Sequence, residues 1–392
     1  MKQVLFPEVV WFQEGPGVRN TQYTNSGVKL LNVANLVDGK VDLSNTDRYI
    51  SEEEAYGKYK HFLVDDGDFI IASSGIKVEY FDKKMGFISE TQLPLCMNTS
   101  TIRFKVLDKS ILDIRYFMYF LKTDRFKQQL AREITGSAQL NFGPSHLKKM
   151  HLPLIDLTAQ RHIAAVLDKV SDLMAKRRQQ LDKLDELVKS RFIELFGDPV
   201  GNPKGWTMVP LGTRCEIITG NTPSRAEAKN YGEFIEWIKS DNINTPYTFL
   251  TEAQEYLSEI GFQKCRFVEA GSLLMTCIAG SVNCIGNVAV ADRRVAFNQQ
   301  INAIVPNEDE VLYLYWLMLL SKPAIHRAIN MALKGILSKR QLSEMMFPFP
   351  PVALQKQFVT FVEQTDKSKL AIQKSLEKLE ILKRALMQKY FG

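Results

Sequence analysis

The sequence predicts an α+β chain: two globular α/β domains joined by two long antiparallel coiled-coil helices, with pseudo-two-fold symmetry. Three observations lead there. The first is a duplication. Phe196-Gly197 returns as Phe391-Gly392 at the chain's end, 195 residues later. At the same offset Leu147 matches Leu342, Met150 matches Met345, Pro153 matches Pro348 and Gln160 matches Gln355, and the match continues without a gap through Leu181/Leu376, Lys183/Lys378 and Leu184/Leu379. So long a period is a doubled half-protein, not a solenoid repeat. The second is a heptad pattern in the matched segments, and the third is the β-rich character of what precedes each of them.

Residues 1–151 form the first predicted domain. Short β-rich runs such as "VKLLNV" and "DFIIAS" alternate there with Gly, Asn and Asp turns, and one apolar helix is expected near 111–132. Residues 152–200 form the first repeated helix. Ile163, Leu167, Val170, Met174, Leu181, Leu184, Val188 and Leu195 recur at alternating spacings of three and four, interrupted by Arg177 and Arg191. Pro153 is expected just before the helix, and Gly197 with Pro199 just after it. Residues 201–346 form the second domain, with a helix expected near 310–331. Residues 347–392 form the second repeated helix, whose seam includes Phe358, Val362, Ile372, Leu376, Leu379 and Leu386. Leu167, Met174, Leu181, Leu184, Ile372, Leu376 and Leu379 are the expected helix-pairing residues. Helices of about 36 residues at roughly 1.5 Å per residue would span roughly 54 Å. Antiparallel pairing would then place the two domains at opposite ends of a rod.

Composition is that of a soluble globular protein, with 45% hydrophobic and 24% charged residues. No apolar run is long enough to cross a bilayer, and the N-terminal stretch does not read as a signal peptide. The five cysteines form no CxxC pair, which favours a reducing, cytoplasmic setting over a disulfide framework or a zinc site. The net charge of +6 points only weakly to nucleic acid, since residues 206–340 balance 13 basic against 13 acidic side chains. The five histidines show no metal spacing. The sequence contains no GxGxxG, GxxxxGK[ST], GxSxG or NPP[YFW], so no cofactor or metal is expected, and the chain reads as non-catalytic by itself.

The duplicated helix-entry segments "LPLIDLTAQRHI" (152–163) and "FPFPPVALQKQF" (347–358) resemble those of DNA-specificity subunits of prokaryotic type I restriction-modification systems. "IITGNTPS" (217–224), "GDFIIAS" (67–73) and "GSAQLNFGPSHLKKMHLPL" (136–154) add to the resemblance, which covers nearly the whole chain. It implies that each variable domain is a target recognition domain reading one half of a bipartite, asymmetric site in double-stranded DNA. The helices would set the unread spacer and dock two modification (adenine methyltransferase) subunits, with restriction (translocase-endonuclease) subunits added for cleavage. Readers roughly 40–50 Å apart would lie about 12–15 base pairs apart. The first domain departs from the pattern, carrying "GPGVRNTQY" (15–23) where the second carries "TGNTPSR", so the two should read different sequences.

By that resemblance the expected DNA-contacting residues are Arg19, Asn20 and Gln22 in the first domain, with Asn221 and Arg225 in the equivalent loop of the second. Lys77, Lys239, Gln139 and Asn141 follow. Two other readings compete. One is a coiled-coil scaffold holding two protein-binding domains, which the neutral charge of 206–340 would suit. The other is a fused restriction-methylation enzyme, for which the methyltransferase and helicase motifs are missing.

Overall fold

A computed structural model of the chain describes residues 2–134, 140–329 and 335–392, without the side chains of Asn45, Val78, Glu79 and Leu140. The chain divides into two compact units. One comprises residues 1–176 with 376–392, the other residues 177–375.

In the first unit, strands Val10–Glu14, Thr101–Val106, Phe69–Ala72 and Met85–Phe87 form an antiparallel sheet in that order. Phe69–Ala72 is apolar throughout because both of its faces are covered. Phe69 and Ile71 enter one core and Ile70 and Ala72 another, as the two-residue period of a strand dictates. Against this sheet lies a second one, Leu95–Met97, Val28–Leu31 and Tyr49–Ile50, whose first pair is parallel. The expected single helix near 111–132 is two, Ile114–Leu121 and Asp124–Glu133. Thr123 breaks it: its hydroxyl accepts from the Phe126 amide at 3.2 Å and starts a new helix.

The second unit repeats the plan. Cys215–Thr219, Ile301–Pro306, Ser272–Thr276 and Val288–Ala291 make its antiparallel sheet. Tyr256–Leu257, Tyr231–Ile238, Val295–Phe297 and Phe267–Val268 make the other, again with one parallel pair, Tyr231–Ile238 beside Val295–Phe297. Here the apolar helix is continuous, Val311–Ala328, with Pro323 inside it.

The repeated segments are single helices of 40 residues, Leu157–Phe196 and Val352–Phe391. Pro153 lies in a strand rather than at the helix start. His151–Leu154 pairs antiparallel with Lys2–Leu5, just as Met346–Pro348 pairs with Met208–Pro210. The first helix begins instead after Asp156, whose carboxylate accepts from the Ala159 amide at 2.9 Å. It ends at Gly197, whose φ of +80° suits glycine and whose amide donates to Ile193 at 2.8 Å. Gly392 donates to Gln388 in the same way.

Within each unit, the start of one long helix lies beside the end of the other. In the first, Ile163, Ala164 and Leu167 share a core with Leu386, Met387, Tyr390 and Phe391. In the second, Val188, Phe192 and Phe196 share one with Phe358 and Val362. Lys369, which interrupts the heptad seam, forms a 2.6 Å ion pair with Asp185 of the other helix. Of the expected pairing residues, Leu167 and Met174 are buried, whereas Leu181, Leu184, Ile372, Leu376 and Leu379 are half-buried. Packing is therefore tightest where the helices also meet the sheet domains. Among the described residues, no helix is long and apolar enough to cross a membrane.

Candidate nucleic-acid interface

The two loops singled out by sequence leave equivalent strands and turn at equivalent glycines. The Gly15 amide donates to Thr101 at 2.9 Å and the Gly220 amide to Ile301 at 3.0 Å. A β-carbon at Gly15 would overlap the carbonyl of Asn98, and one at Gly220 the carbonyl of Asn298. Glycine is required at both because another backbone strand passes too close for any side chain. Counting from these glycines, Asn20 occupies the place of Arg225.

The second loop is held from all sides. Asn221 spends its amide on its own surroundings: Nδ2 donates to the Lys264 carbonyl and Oδ1 accepts from the Arg266 amide, both at 2.8 Å. Tyr231 donates to the Pro223 carbonyl at 2.9 Å, and Asn230 to that of Ser224 at 3.0 Å. Thr222 bonds Gln299. Asn221 thus shapes the loop, and Arg225 projects from it with a side chain 59% exposed.

Arg225 is nevertheless fixed in place. Its guanidinium lies 5.2 Å from the ring centre of Tyr231 and 5.4 Å from that of Trp237, and it donates to Glu255 Oε2 at 2.9 Å. Lys239 joins the same carboxylate through Oε1 and lies 5.3 Å from the Trp237 ring. Hydrogen bonding from Lys239, opposed in part by burial, holds the Glu255 carboxyl below the usual carboxylate range, with Arg225 adding to the effect. The structure therefore brings Arg225 and Lys239 together on one anion and two aromatic faces. Sequence reasoning missed Glu255, Trp237 and Tyr231. Tyr231 and Trp237 look like ordinary strand residues in "NYGEFIEWIKS", and only folding carries Glu255 to them.

The first loop is built differently. Gln22 is engaged internally: its Oε1 accepts from the Arg19 amide at 3.1 Å, and its Nε2 donates to Glu54 at 2.6 Å and Tyr59 at 3.0 Å. Arg19 and Asn20 are exposed. Asn141 is on the short strand Leu140–Asn141, where its Oδ1 accepts from the Gly75 amide at 3.1 Å. Lys77 is exposed beside Gly75. Gln139 lies outside the described residues.

Burial pushes the Cys96, Cys215 and Cys277 thiols up to about 12 and Cys265 to about 11, far from the thiolate a nucleophile or metal ligand needs. Among the described residues, no three His, Cys, Asp or Glu side chains gather as metal ligands would.

A sequence profile for the type I restriction modification DNA specificity domain matches residues 19–183 and again 203–383. The type I restriction enzyme HindI specificity subunit of Haemophilus influenzae is 28% identical over 207 residues, 48% of this chain and 44% of that protein. The putative type I restriction enzyme MjaX specificity subunit of Methanocaldococcus jannaschii is 21% identical over 393 residues, 92% of this chain and 85% of that protein. The chain thus spans under half of the first relative's length and most of the second's. Among solved structures, the S subunit of a type I restriction-modification system from M. genitalium matches at a TM-score of 0.59 and 16% identity, covering 100% of this chain and 96% of its own. A chain from a structure of complex assembly and conformational transition in the type I R-M system matches at 0.57 and 16%, covering 100% and 97%. At such identity these two likenesses speak for the fold. The two profile matches, one over each half of the duplication, span most of the sequence, and the chain belongs to the type I restriction-modification DNA specificity subunit family.

Proposed function

We propose that this chain is the sequence-reading, non-catalytic subunit of a type I restriction-modification complex, each domain reading one half of a bipartite, asymmetric site in double-stranded DNA. The long helices set the number of unread base pairs and dock two adenine methyltransferase subunits, which supply the chemistry. Translocase-endonuclease subunits join when the system cleaves. One observation carries the reading: two loops on the same backbone plan, each pinned by a glycine against an asparagine carbonyl, present unlike side chains. A shared scaffold with different polar tips is what two readers of different sequences require, because side chains at base edges specify and the backbone positions them. Arg225, stacked and ion-paired, is preorganised for a base edge or phosphate, and Lys239 beside it for a phosphate. Arg19 and Asn20 take that part in the first domain.

Sequencing of N6-methyladenine in cells expressing the chain with its methyltransferase partner tests this. A split, asymmetric motif methylated on both strands is the expected outcome. No new methylation, with the complex shown to form, overturns it.

A further inference from the structure

The first domain contains a feature that the loop comparison does not touch. A cavity of about 460 Å³ is lined by Val37, Asp38, Gly75, Ile76, Lys77, Tyr80, Lys83 and Lys84. Three of the eight are lysines. They meet here because strand Ser74–Ile76 runs into the 3-10 turn Val78–Lys83, which curls back beside the hairpin of Leu36–Val37 and Lys40–Val41. Among the described residues of the lining, Asp38 is the one acid. It is exposed, and its contact with Lys83 is long, at 3.8 Å. The nearby carboxylate of Asp82 is drawn away by Lys127 at 2.7 Å. Where a β-carbon of Gly75 would stand there is open space, so the floor admits close approach to the backbone. Tyr80, 48% exposed, stands in the lining as well.

Among the described residues, the equivalent connection of the second domain meets one lysine from outside it, Lys322, which is spent on the Asn283 carbonyl at 2.7 Å and on Asn287. That connection, between the paired strands Ser272–Thr276 and Val288–Ala291, runs through residues 277–287, which contain no Lys, Arg, Asp or Glu. The corresponding stretch of the first domain, residues 73–84, holds Lys77, Lys83 and Lys84 together with Glu79 and Asp82, three basic against two acidic side chains. The duplication therefore diverged here in charge and not merely in loop shape.

Resting on the DNA-recognition reading above, we infer that this lysine basin grips a backbone phosphate of the half-site bound by the first domain, a contact that the second domain does not make. Lysine ammonium groups are compact point charges suited to a phosphate. Such a contact adds affinity and salt sensitivity but carries no base information. The first domain then holds its half-site partly through the DNA backbone, while the second relies on its Arg225 cluster.

The test is the salt dependence of DNA binding by the complex with methyltransferase subunits, on a duplex carrying the motif found by methylation sequencing. The variant is Lys77→Ala/Lys83→Ala, with Lys77→Arg/Lys83→Arg as rescue. Lys84 is kept because it is half-buried and contacts the Val33 carbonyl at 3.5 Å. For the one lost phosphate contact the slope of log affinity against log salt should shrink by about 1, with affinity down roughly severalfold and the motif unchanged. The arginine pair should restore the slope. A folded alanine variant with wild-type slope and affinity overturns the basin while leaving the DNA-recognition reading intact. A changed half-site motif overturns it as well, because phosphate contacts do not select bases. Failure of the wild-type complex to bind DNA specifically would instead remove the reading on which the inference rests.

Discussion

The ring of Phe391, next to the last residue, packs with its centre 5.1 Å from that of Tyr116, while Phe196 packs 4.9 Å from Tyr313. Both phenylalanines are 2% exposed. The two tyrosines complete the correspondence: Tyr116 donates to the Pro153 carbonyl and Tyr313 to the Pro348 carbonyl, each at 2.8 Å. The repeated Phe-Gly is thus more than a helix stop. Each Phe closes a core built largely by the other half of the duplication, and glycine ends the helix immediately after it.

Truncating either ring should cost about 3–5 kcal/mol, as for a buried Phe. Phe391→Ala is expected to speed amide exchange in the Ile114–Leu121 helix, and Phe196→Ala in Val311–Ala328. Hydrogen exchange checks this. Uniform loosening of the whole chain by both variants would contradict two separately closed cores.

Gln160 and Gln355 are fully buried and work alike. Gln160 accepts from the Asp113 amide at 2.9 Å and donates to the Ile111 and Ile155 carbonyls. Gln355 accepts from the Glu310 amide at 3.0 Å and donates to the Pro350 carbonyl and the Asp309 carboxylate. Replacement by Met keeps the approximate volume and orphans three polar groups in each case. Each variant should lose roughly 2–4 kcal/mol in denaturant titration. A loss below about 0.5 kcal/mol would show that water or local movement satisfies those groups.

Arg225→Ala and Glu255→Gln should each change only the half-site read by residues 206–340. Removing one side chain that reads a base is expected to cost roughly 1–3 kcal/mol of discrimination. Glu255→Gln keeps the shape of the cluster but removes the charge that holds Arg225 and Lys239, so relaxed rather than lost preference is expected. Methylation sequencing of each variant reads the outcome. A shift in the other half-site would reassign the loop.

Gly220→Ala forces a β-carbon into the Asn298 carbonyl, whereas Gly17, in the equivalent loop of the first domain, faces open space. The first substitution should lower the melting temperature and weaken recognition of one half-site; Gly17→Ala should leave stability near wild type. Equal effects would mean that the backbone yields at residue 220.

Lys122 carries a pH signature. Burial, assisted by Lys383, lowers its pKa from 10.5 to about 8. Between those values the unfolded chain holds a proton that the folded chain has shed, so this residue makes stability rise with pH across that window. Below about pH 8 its full penalty applies; above 10.5 it vanishes. Lys122→Met should therefore melt higher than wild type at pH 7, with the gain shrinking toward pH 10. Thermal melts across that range decide, and a gain independent of pH would assign the effect to packing alone.

The helical half of the architecture was legible in the sequence because its causes are local. Heptad spacing and a glycine after the last turn each act within a few residues of where they stand. The misplaced features were those settled by packing. Pro153 was drawn into a strand by Lys2–Leu5, from the far end of its domain. The helix near 111–132 divided where Thr123 could cap a new one. The seam positions Leu181 and Leu379 stayed half-buried, because the heptad pattern states which face is apolar but not how closely another helix approaches.

For the candidate site, residue type indicated which side chains were able to reach DNA but not which were already engaged. Gln22 and Asn221 look like base readers in a polar loop, yet their amides are consumed in holding that loop. Arg225 and Lys239 share Glu255, and the three lysines of the first domain share one cavity; sequence proximity signals neither arrangement fully. By itself the sequence determined the duplication, the two long helices with their stops, and the family resemblance, since identity and period are properties of the chain. Tertiary structure alone decided which Phe closes which core and which polar groups remain to meet a ligand, because hydrogen bonds and ion pairs are allotted only when distant strands come within about 3 Å of one another.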